Sequence, residues 1–462
     1  MIPINQLAPI RLGSQDITVV AVAKISARCR ALADFEQARR GFAFEPSVSH
    51  TRRSLDNITH SLFGYALGRA WASGRQRTAD VGRTPRTRAL VASTVVASNA
   101  PDLDFVTGLL AEDRQLVYLL EHRGFTHTLI FALVGGLLVG AACAALYRVG
   151  SRRVALEVCA LASAASLLHI GFDFLNDYGV HPFYPFDDRW YYGDSVFIIE
   201  PLLLAVLIPL PLWFALGKIG RGLGAAIAVG LLLLVWLPAQ VPWWSAMVVT
   251  VTLAGCVALQ RWFGARAAPA LAGSVLVVSL FGGASQLAEA QVAAALAMRA
   301  PSERVLDIAS SPMPGNPSCF RALVVTLDEQ STYRARLVRN GLLDEWLPAA
   351  LRCRLMPAEP TAPLREDGLA AVRGVHFESA FAAPESELSA LAAEHCDAAA
   401  MLKFLRVPFW TERSGPAGSG TLLGDLRYDR EPGVEFAERW LNGRCPNARA
   451  PWVPPRSAQL AD

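Results

Sequence analysis

Charge is what this sequence has least of. Only 18% of its 462 residues are Asp, Glu, Lys or Arg, while 53% are hydrophobic. Soluble globular chains carry about a quarter charged residues, so this shortage argues for a lipid environment. The net charge is only +3, too little to hold a nucleic acid electrostatically, and no nucleic-acid partner is expected. Residues 1–54 lack a signal-peptide apolar core and any sustained helical or strand period. Their apolar stretch ITVVAVA is too short to anchor in a bilayer. The chain also lacks an inverted repeat and paired broken helices, which counts against a transporter.

What is present in abundance is long apolar runs. Six read as spanning helices, because only helices satisfy every backbone group inside lipid. They cover residues 128–147, 154–175, 196–216, 223–238, 243–263 and 270–288. The third should kink at Pro209 and Pro211. Two shorter segments, 57–72 and 88–100, are near the lower length limit and read as partly embedded. The fold class expected is mainly α, a polytopic transmembrane helical bundle. A small extramembrane α+β domain should follow over residues 295–462, after additional membrane helices in 202–294.

Arginine placement gives an orientation. The loops 73–88, 148–153, 217–222 and 261–269 are basic, and the connections 101–127, 176–195 and 239–242 are acidic, mixed or neutral. Positive-inside places the first set in the cytoplasm and the second set outside, together with everything after residue 290. In the C-terminal domain SCFRALVVTLDEQ and STYRARLVR read as two strands joined by a turn, residues 385–407 as a helix, and TLLGDLRYD as a further strand. Its cysteines, Cys319, Cys353, Cys396 and Cys445, are even in number. Two disulfides in an oxidising compartment and four buried thiols both fit that count. Cys143, Cys159 and Cys256 sit in apolar helices and read as packing residues.

The polar residues that interrupt the apolar runs carry the chemistry. They fall in the clusters DNITH (56–60), NAPDLD (99–104), HRGFTH (122–127), HIGFD (169–173) and NDYGVHP (176–182). The orientation derived from arginines alone places all of them at the outer ends of their helices. His169 and Asp173 are four apart, on one helix face inside an apolar span, where an ionisable group is costly. Imidazole with carboxylate suits zinc or a similar divalent ion; an interhelical His–Asp hydrogen bond also fits the pair. In HRGFTH the five-residue spacing puts His122 in a loop and His127 in the first helical turn; a polar helix entry capped by Thr126 also fits. Asp102 and Asp104 follow Pro101 and fit either ligation or helix capping. Asp56 or Asn57 can cap the helix carrying His60.

Taken together, His60, Asp102, Asp104, His122, His127, His169 and Asp173 outnumber the ligands of one tetrahedral ion. Two or more ions sharing a carboxylate would use them and suit phosphoester displacement. Asp104 and His127 are also candidate catalytic groups. In the outer loop, Arg189 is a candidate phosphate clamp and Asp194 a candidate ligand or base, although a solvated loop anchored by Trp190, Tyr191 and Tyr192 also accounts for both. His181, a loop histidine before Pro182, could join the site, whereas His376 and His395 have no partner cluster and read as surface or packing residues.

In order along the chain, DNITHSLFGYALG, NAPDLDF, HRGFTHTL, HIGFDFLNDYG and PFDDRWYYGDSVFIIEP resemble the YdjM-type family of membrane-bound, metal-dependent hydrolases. The resemblance covers about residues 55–201, and GDLRYDREPG is similar to the tail domain of longer members. Glu200 stands where that family more often has Asp before Pro, which leaves the metal residues untouched. The order of motifs is also similar to zinc-dependent phospholipase C. The resemblance implies a divalent metal, zinc or one like it, on the same His and Asp residues. It implies hydrolysis by metal-activated water at the outer face of an inner membrane. Membrane lipids would be partners, and a phosphorylated lipid, an isoprenoid phosphate or a small phosphoester the substrate. A scaffold or sensor with a structural metal is the alternative, and a transporter a more remote one. Family members begin near DNITH, so residues 1–54 are expected to be a poorly ordered extension or an over-extended reading frame starting ahead of Leu55.

Overall fold

The shortest route from this sequence to its architecture runs through small residues. In the computed structural model described here, residues 48–73, 84–215, 217–237, 241–264, 266–415, 418–434, 436–443 and 450–455 are described. The expectation for 1–54 therefore falls almost wholly outside the described residues. Helix α1 (Val48–Ser73) is followed by α2 (Pro85–Ala97), the latter opened by Pro85 and capped by Thr84 Oγ1, which accepts from the N–H of Thr87. Gly64 and Gly68, one turn apart on α1, lie against α2. A Cβ on Gly64 would stand 2.4 Å from Ser98 Oγ, and one on Gly68 2.9 Å from the Cα of Val91.

The same device recurs in the next pair, α5 (Leu129–Leu146) and α6 (Arg152–Phe174). Between them in sequence come α3 (Phe105–Leu110) and α4 (Arg114–Glu121). Gly136 and Gly140 on α5 face Ser163 and Cys159 on α6. A Cβ at Gly136 would be 2.4 Å from the Cα of Ser163, and one at Gly140 2.5 Å from the Cα of Cys159. Glycines four apart let membrane helices approach at backbone distance, where packing replaces the hydrophobic drive that lipid removes.

Five helices among the described residues are long and apolar enough to cross a membrane, so the chain is a multi-pass membrane protein. They are α5, α6, α9 (Lys218–Trp236), α10 (Trp243–Phe263) and α11 (Ala268–Arg299). The expected span 196–216 is different. It begins only at Pro201, as α7 (Pro201–Leu207), and resumes as α8 (Pro209–Phe214) after a break at Ile208. Pro201 and Pro209 lack the N–H that would continue a helix. Every residue of α7 is buried, so this segment is the centre of the bundle instead of a lipid-facing span.

Helix α11 runs past the expected membrane boundary and enters the C-terminal domain. Its end packs Val292, Ala295 and Leu296 against Ala322, Val324 and Val338 of an antiparallel sheet. That sheet has the order β1 (Arg304–Met313), β2 (Asn316–Leu327), β3 (Thr332–Gly341), β4 (Val375–Pro384). The expected strand pair at 318–339 is β2 and β3, in register from Cys319 opposite Gly341 to Leu327 opposite Tyr333. The expected helix over 385–407 is two helices, α12 (Glu385–Glu394) and α13 (Cys396–Leu402), broken at His395. A second sheet, β5 (Pro408–Gly415), β6 (Gly418–Asp425) and β7 (Glu438–Trp440), completes the α+β domain. Cys319 and Cys353 form a disulfide. Cys396 is also disulfide-bonded, and Cys445 lies outside the described residues. Cys143, Cys159 and Cys256 are free.

The domain is bolted to the loops of the membrane half by polar contacts. Arg406 forks to both oxygens of Asp194 at 2.7 Å and reaches Asp307 at 2.8 Å. Gln115 donates to the carbonyl of Glu438, Arg427 to that of Asp177, and Trp190 Nε1 to that of Lys403. The hairpin turn between β1 and β2 reaches back to the bundle, where the N–H of Gly315 donates to Glu200, the residue that caps α7.

Substituting Gly136→Leu should force α5 off α6. Overpacking of this kind costs about 1–3 kcal/mol, so thermal unfolding of the detergent-purified protein should shift down by several degrees. The equivalent change at Gly171, whose Cβ position is open, should leave it unmoved.

Candidate metal centre

The α5–α6 approach has a direct result at the end where α5 begins and α6 finishes. His127, just before α5, and His169, near the end of α6, are brought together with Nε2 atoms 3.1 Å apart. Asp173, one turn beyond His169, places Oδ2 3.0 Å from His127 Nε2 and 3.2 Å from His169 Nε2. Asp102 completes the group, with Oδ1 3.5 and 3.4 Å from the same two nitrogens. A tetrahedron with metal–ligand bonds of about 2.0–2.1 Å has edges of about 3.3–3.4 Å. The five separations bracket that edge. These four residues form a group with the ligand atoms to hold a metal ion.

The tautomers point the same way. His169 Nδ1 lies 2.8 Å from the carbonyl oxygen of Ser98, which can only accept, so Nδ1 donates. Thr126 donates to Asp104 Oδ2 at 2.9 Å, and His127 Nδ1 sits 3.3 Å from the same oxygen. Nε2 of both rings then faces the other and two carboxylate oxygens, a convergence of four atoms with the donor chemistry to hold a cation. Backbone carbonyls and carboxylates behind the ligating imidazoles are the usual means of fixing such rings.

Asp102 and Asp104 reach inward from the 3₁₀ turn Pro101–Asp104, with Leu103 between them 60% exposed. Asp104 occupies the N-cap position of α3 but makes no capping hydrogen bond. Its oxygens instead take His122 Nδ1 at 2.9 Å, the N–H of Arg123 at 3.0 Å and Thr126. Burial pushes its carboxyl up, but His122 and His127 outweigh that and hold it well below the usual carboxylate range. Asp102 is lowered likewise, burial being outweighed by His169 and His127. The expected cap Thr126 is spent on this network, and Thr128 caps α5 in its place, accepting from Phe131.

All seven expected metal residues are therefore gathered, but in two layers. Asp102, His127, His169 and Asp173 converge. His60 stands behind them, with Nε2 3.3 Å from Asp173 Oδ1 and its ring 4.0 Å from that of His169. Its α1 segment is held by Ser98 Oγ, which donates to the His60 carbonyl. Asp104 and His122 flank the group. Arg189 and Asp194 are elsewhere engaged: Arg189 is exposed and chelates Asp187, and the half-buried Asp194 is held in the Arg406 fork. His181 is stacked on Trp452 with ring centroids 3.8 Å apart, and burial drops its pKa to about 3, so it is a neutral packing residue.

Residues 55–244 match the family model described as YdjM inner membrane protein. The YdjM-matching stretch contains every one of the seven residues. The chain is also similar to the protein YfhP of Bacillus subtilis (strain 168), described as uncharacterized, at 29% identity over 170 residues. That alignment takes in 36% of this chain and 48% of the relative, so the chain spans about half the length of the curated relative it matches. No solved structure matches the chain.

Sequence reasoning missed Arg123. It is 2% exposed, with a left-handed backbone at φ 59°. Its guanidinium meets Asp173 Oδ1 at 2.9 Å, the Asp173 carbonyl at 3.2 Å and Asn176 Oδ1 at 2.8 Å. One residue thus holds Asp104 by its main chain and Asp173 by its side chain. The signal available was an arginine inside HRGFTH, between two candidate ligands, where a solvent-seeking loop residue would be placed by default. Arg123→Lys keeps the charge but loses the fork. Its metal affinity, measured by chelator competition, should fall about 10- to 100-fold, as for other residues that orient ligands.

Proposed function

We propose that this chain is a membrane-bound, metal-dependent hydrolase that acts on phosphoesters at the outer face of the inner membrane. The observation that carries the reading is the buried His127–His169–Asp102–Asp173 group, whose separations match a tetrahedral divalent site such as zinc. An ion of that kind supplies Lewis acidity, lowering the pKa of water and drawing charge from a phosphoryl oxygen. Arg123 and Asp104 hold the geometry. His122 is the more open imidazole of the cluster, its side chain 14% exposed. With Nδ1 tied to Asp104, its Nε2 is the atom that would exchange a proton with substrate or leaving group. Arg189 and Asp194 have no part in this reading, being committed to Asp187 and Arg406.

The outer orientation rests on the basic loops, which place the site and the C-terminal domain on the side opposite the arginines. The disulfides of that domain suit an oxidising compartment. A second reading has a specific observation in its favour. Four protein ligands closing a tetrahedron are typical of structural zinc, and catalytic sites keep one position open. On that reading the ion braces a scaffold, and the C-terminal domain is the part presented to a partner. Asp102 separates the two: its side chain is 12% exposed, the least buried of the four ligands, so it is the ligand able to yield to substrate.

Elemental analysis of purified protein should find a divalent metal, and His169→Ala should remove it. Chelation should abolish hydrolysis of a phosphoester panel, with activity returning when metal is restored. Full activity in demonstrably metal-free protein would end the hydrolase mechanism, and bound metal with no hydrolysis of any phosphoester would favour the scaffold. A periplasm-selective reporter fused after Asp462 should be active; a cytoplasmic signal would overturn the orientation.

A further inference from the structure

The four-stranded sheet has α11 on one face and the layer of α12, α13 and β5–β7 on the other. That second layer stops short of one end of the sheet, and the segment 353–364 crosses there as a strap. One end of the strap is pinned by the Cys319–Cys353 disulfide. Near the other end, Asp429 accepts from the N–H groups of Thr361 and Ala362 at 2.6 and 2.9 Å. Between strap and sheet lies a cleft of about 670 Å³, within the range of small-molecule sites.

The lining has two characters. Leu323 and Leu337 of the sheet and Leu355 and Met356 of the strap give it an apolar floor. Its charge is cationic: Arg321, Arg339, Arg352 and Arg354 line it. Arg339 is neutralised by Glu378 and Asp344. Arg321 donates to the carbonyls of Leu426 and Arg427, at 2.8 and 3.3 Å, and burial, with Arg430 nearby, draws its pKa down to about 10 against the pull of Asp177, Asp429 and Asp425. Arg352 donates to the carbonyl of Leu347. The acidic groups on the lining are spent, Glu378 on Arg339 and Asp429 on the strap. Arg321, Arg352 and Arg354, which form no salt bridge among the described residues, beside an apolar floor are complementary to one kind of ligand.

We propose that this cleft is a second binding site, separate from the metal centre, for an anionic amphiphile. A phosphate or carboxylate head would meet Arg321, Arg352 and Arg354, and an apolar chain would lie over Leu323, Leu337, Leu355 and Met356. Both a lipid drawn from the bilayer and a free amphiphile have this chemistry.

The test uses the full chain in nanodiscs of zwitterionic lipid, titrated with octyl phosphate. Inorganic phosphate serves as the head alone and octyl glucoside as the tail alone. Octyl phosphate should bind, and both partial probes more weakly by about tenfold or more. The double variant Arg352→Glu/Arg354→Glu and the cleft-filling Met356→Trp should each weaken it by about the same factor. His169→Ala should leave it unchanged, which keeps this result apart from that of the metal-site reading. Thiol counting on each variant checks that the strap is still pinned. Adding phosphatidic acid to the nanodiscs identifies the source: competition assigns the cleft to bilayer lipid, and no competition to a free amphiphile. Affinity unaffected by the cleft variants, lost in His169→Ala, or matched by inorganic phosphate would overturn the proposal.

Discussion

Everything at the metal centre depends on how closely two membrane helices approach. In lipid, an apolar side chain gains little by moving from an acyl chain to a neighbouring helix, so helix pairs are held by close packing and polar contacts. Gly136 and Gly140 meet this condition by presenting bare backbone to α6. Because α5 and α6 are antiparallel and closely packed, residues at the start of α5 face those at the end of α6. His127 and His169 come within 3.1 Å of each other for this reason. The Gly64–Gly68 edge of α1 does the same against α2 and delivers His60. A larger residue at these positions would act on the chemistry from a distance, by separating the ligands.

The second constraint is the charge that this packing buries. Asp102, Asp104 and Asp173 sit among imidazoles in a region with little access to water, and burying unpaired carboxylates is costly. The protein offsets part of that cost: Asp104 takes His122, the Arg123 main chain and Thr126, and Asp173 takes the Arg123 guanidinium. The result is a network whose members orient each other. Arg123 is its keystone, because it reaches Asp104 on the 3₁₀ turn and Asp173 on α6 at once. It also explains why an arginine tolerates a left-handed backbone there, since the two ends of the residue have separate fixed partners.

Much of this was legible in the sequence, and for physical reasons. HIGFD announced itself because two ionisable residues in helical register inside an apolar run have few explanations. The apolar runs of α5, α6, α9 and α10 were readable from length alone. The span at 196–216 misled, because composition cannot distinguish a lipid-facing helix from a buried one; only Pro201 and Pro209 hinted that the helix would start late and break. The division of the seven residues into ligands and supports was not legible either. His122 and His127 lie in one motif, yet one faces the ion position and the other Asp104, a difference set by the 3₁₀ turn between them. In the C-terminal domain β1, β2 and β3 follow one another as hairpins, whereas β4 pairs with β3 across a long intervening stretch of chain. Arg406 and Arg427, which bind that domain to the loops of the membrane half, carry no local signal, because their partners lie far away in the chain.

The placement of Trp452 has a bearing on how the molecule is made. Its indole donates to the carbonyl of Leu120 and packs on Phe125, Tyr184 and His181, and a Cβ on Gly124 would press into its ring. The HRGFTH loop thus leans on a residue more than three hundred positions downstream. During synthesis α5 and α6 can insert and pair long before Trp452 leaves the ribosome. The nascent bundle would meanwhile carry its ligand loop without that support. The metal centre is encoded early in the chain but acquires its final shape late, when the extramembrane domain has folded and closed over the loop. The last-made part of the protein thus sets the geometry of the His/Asp group in the first.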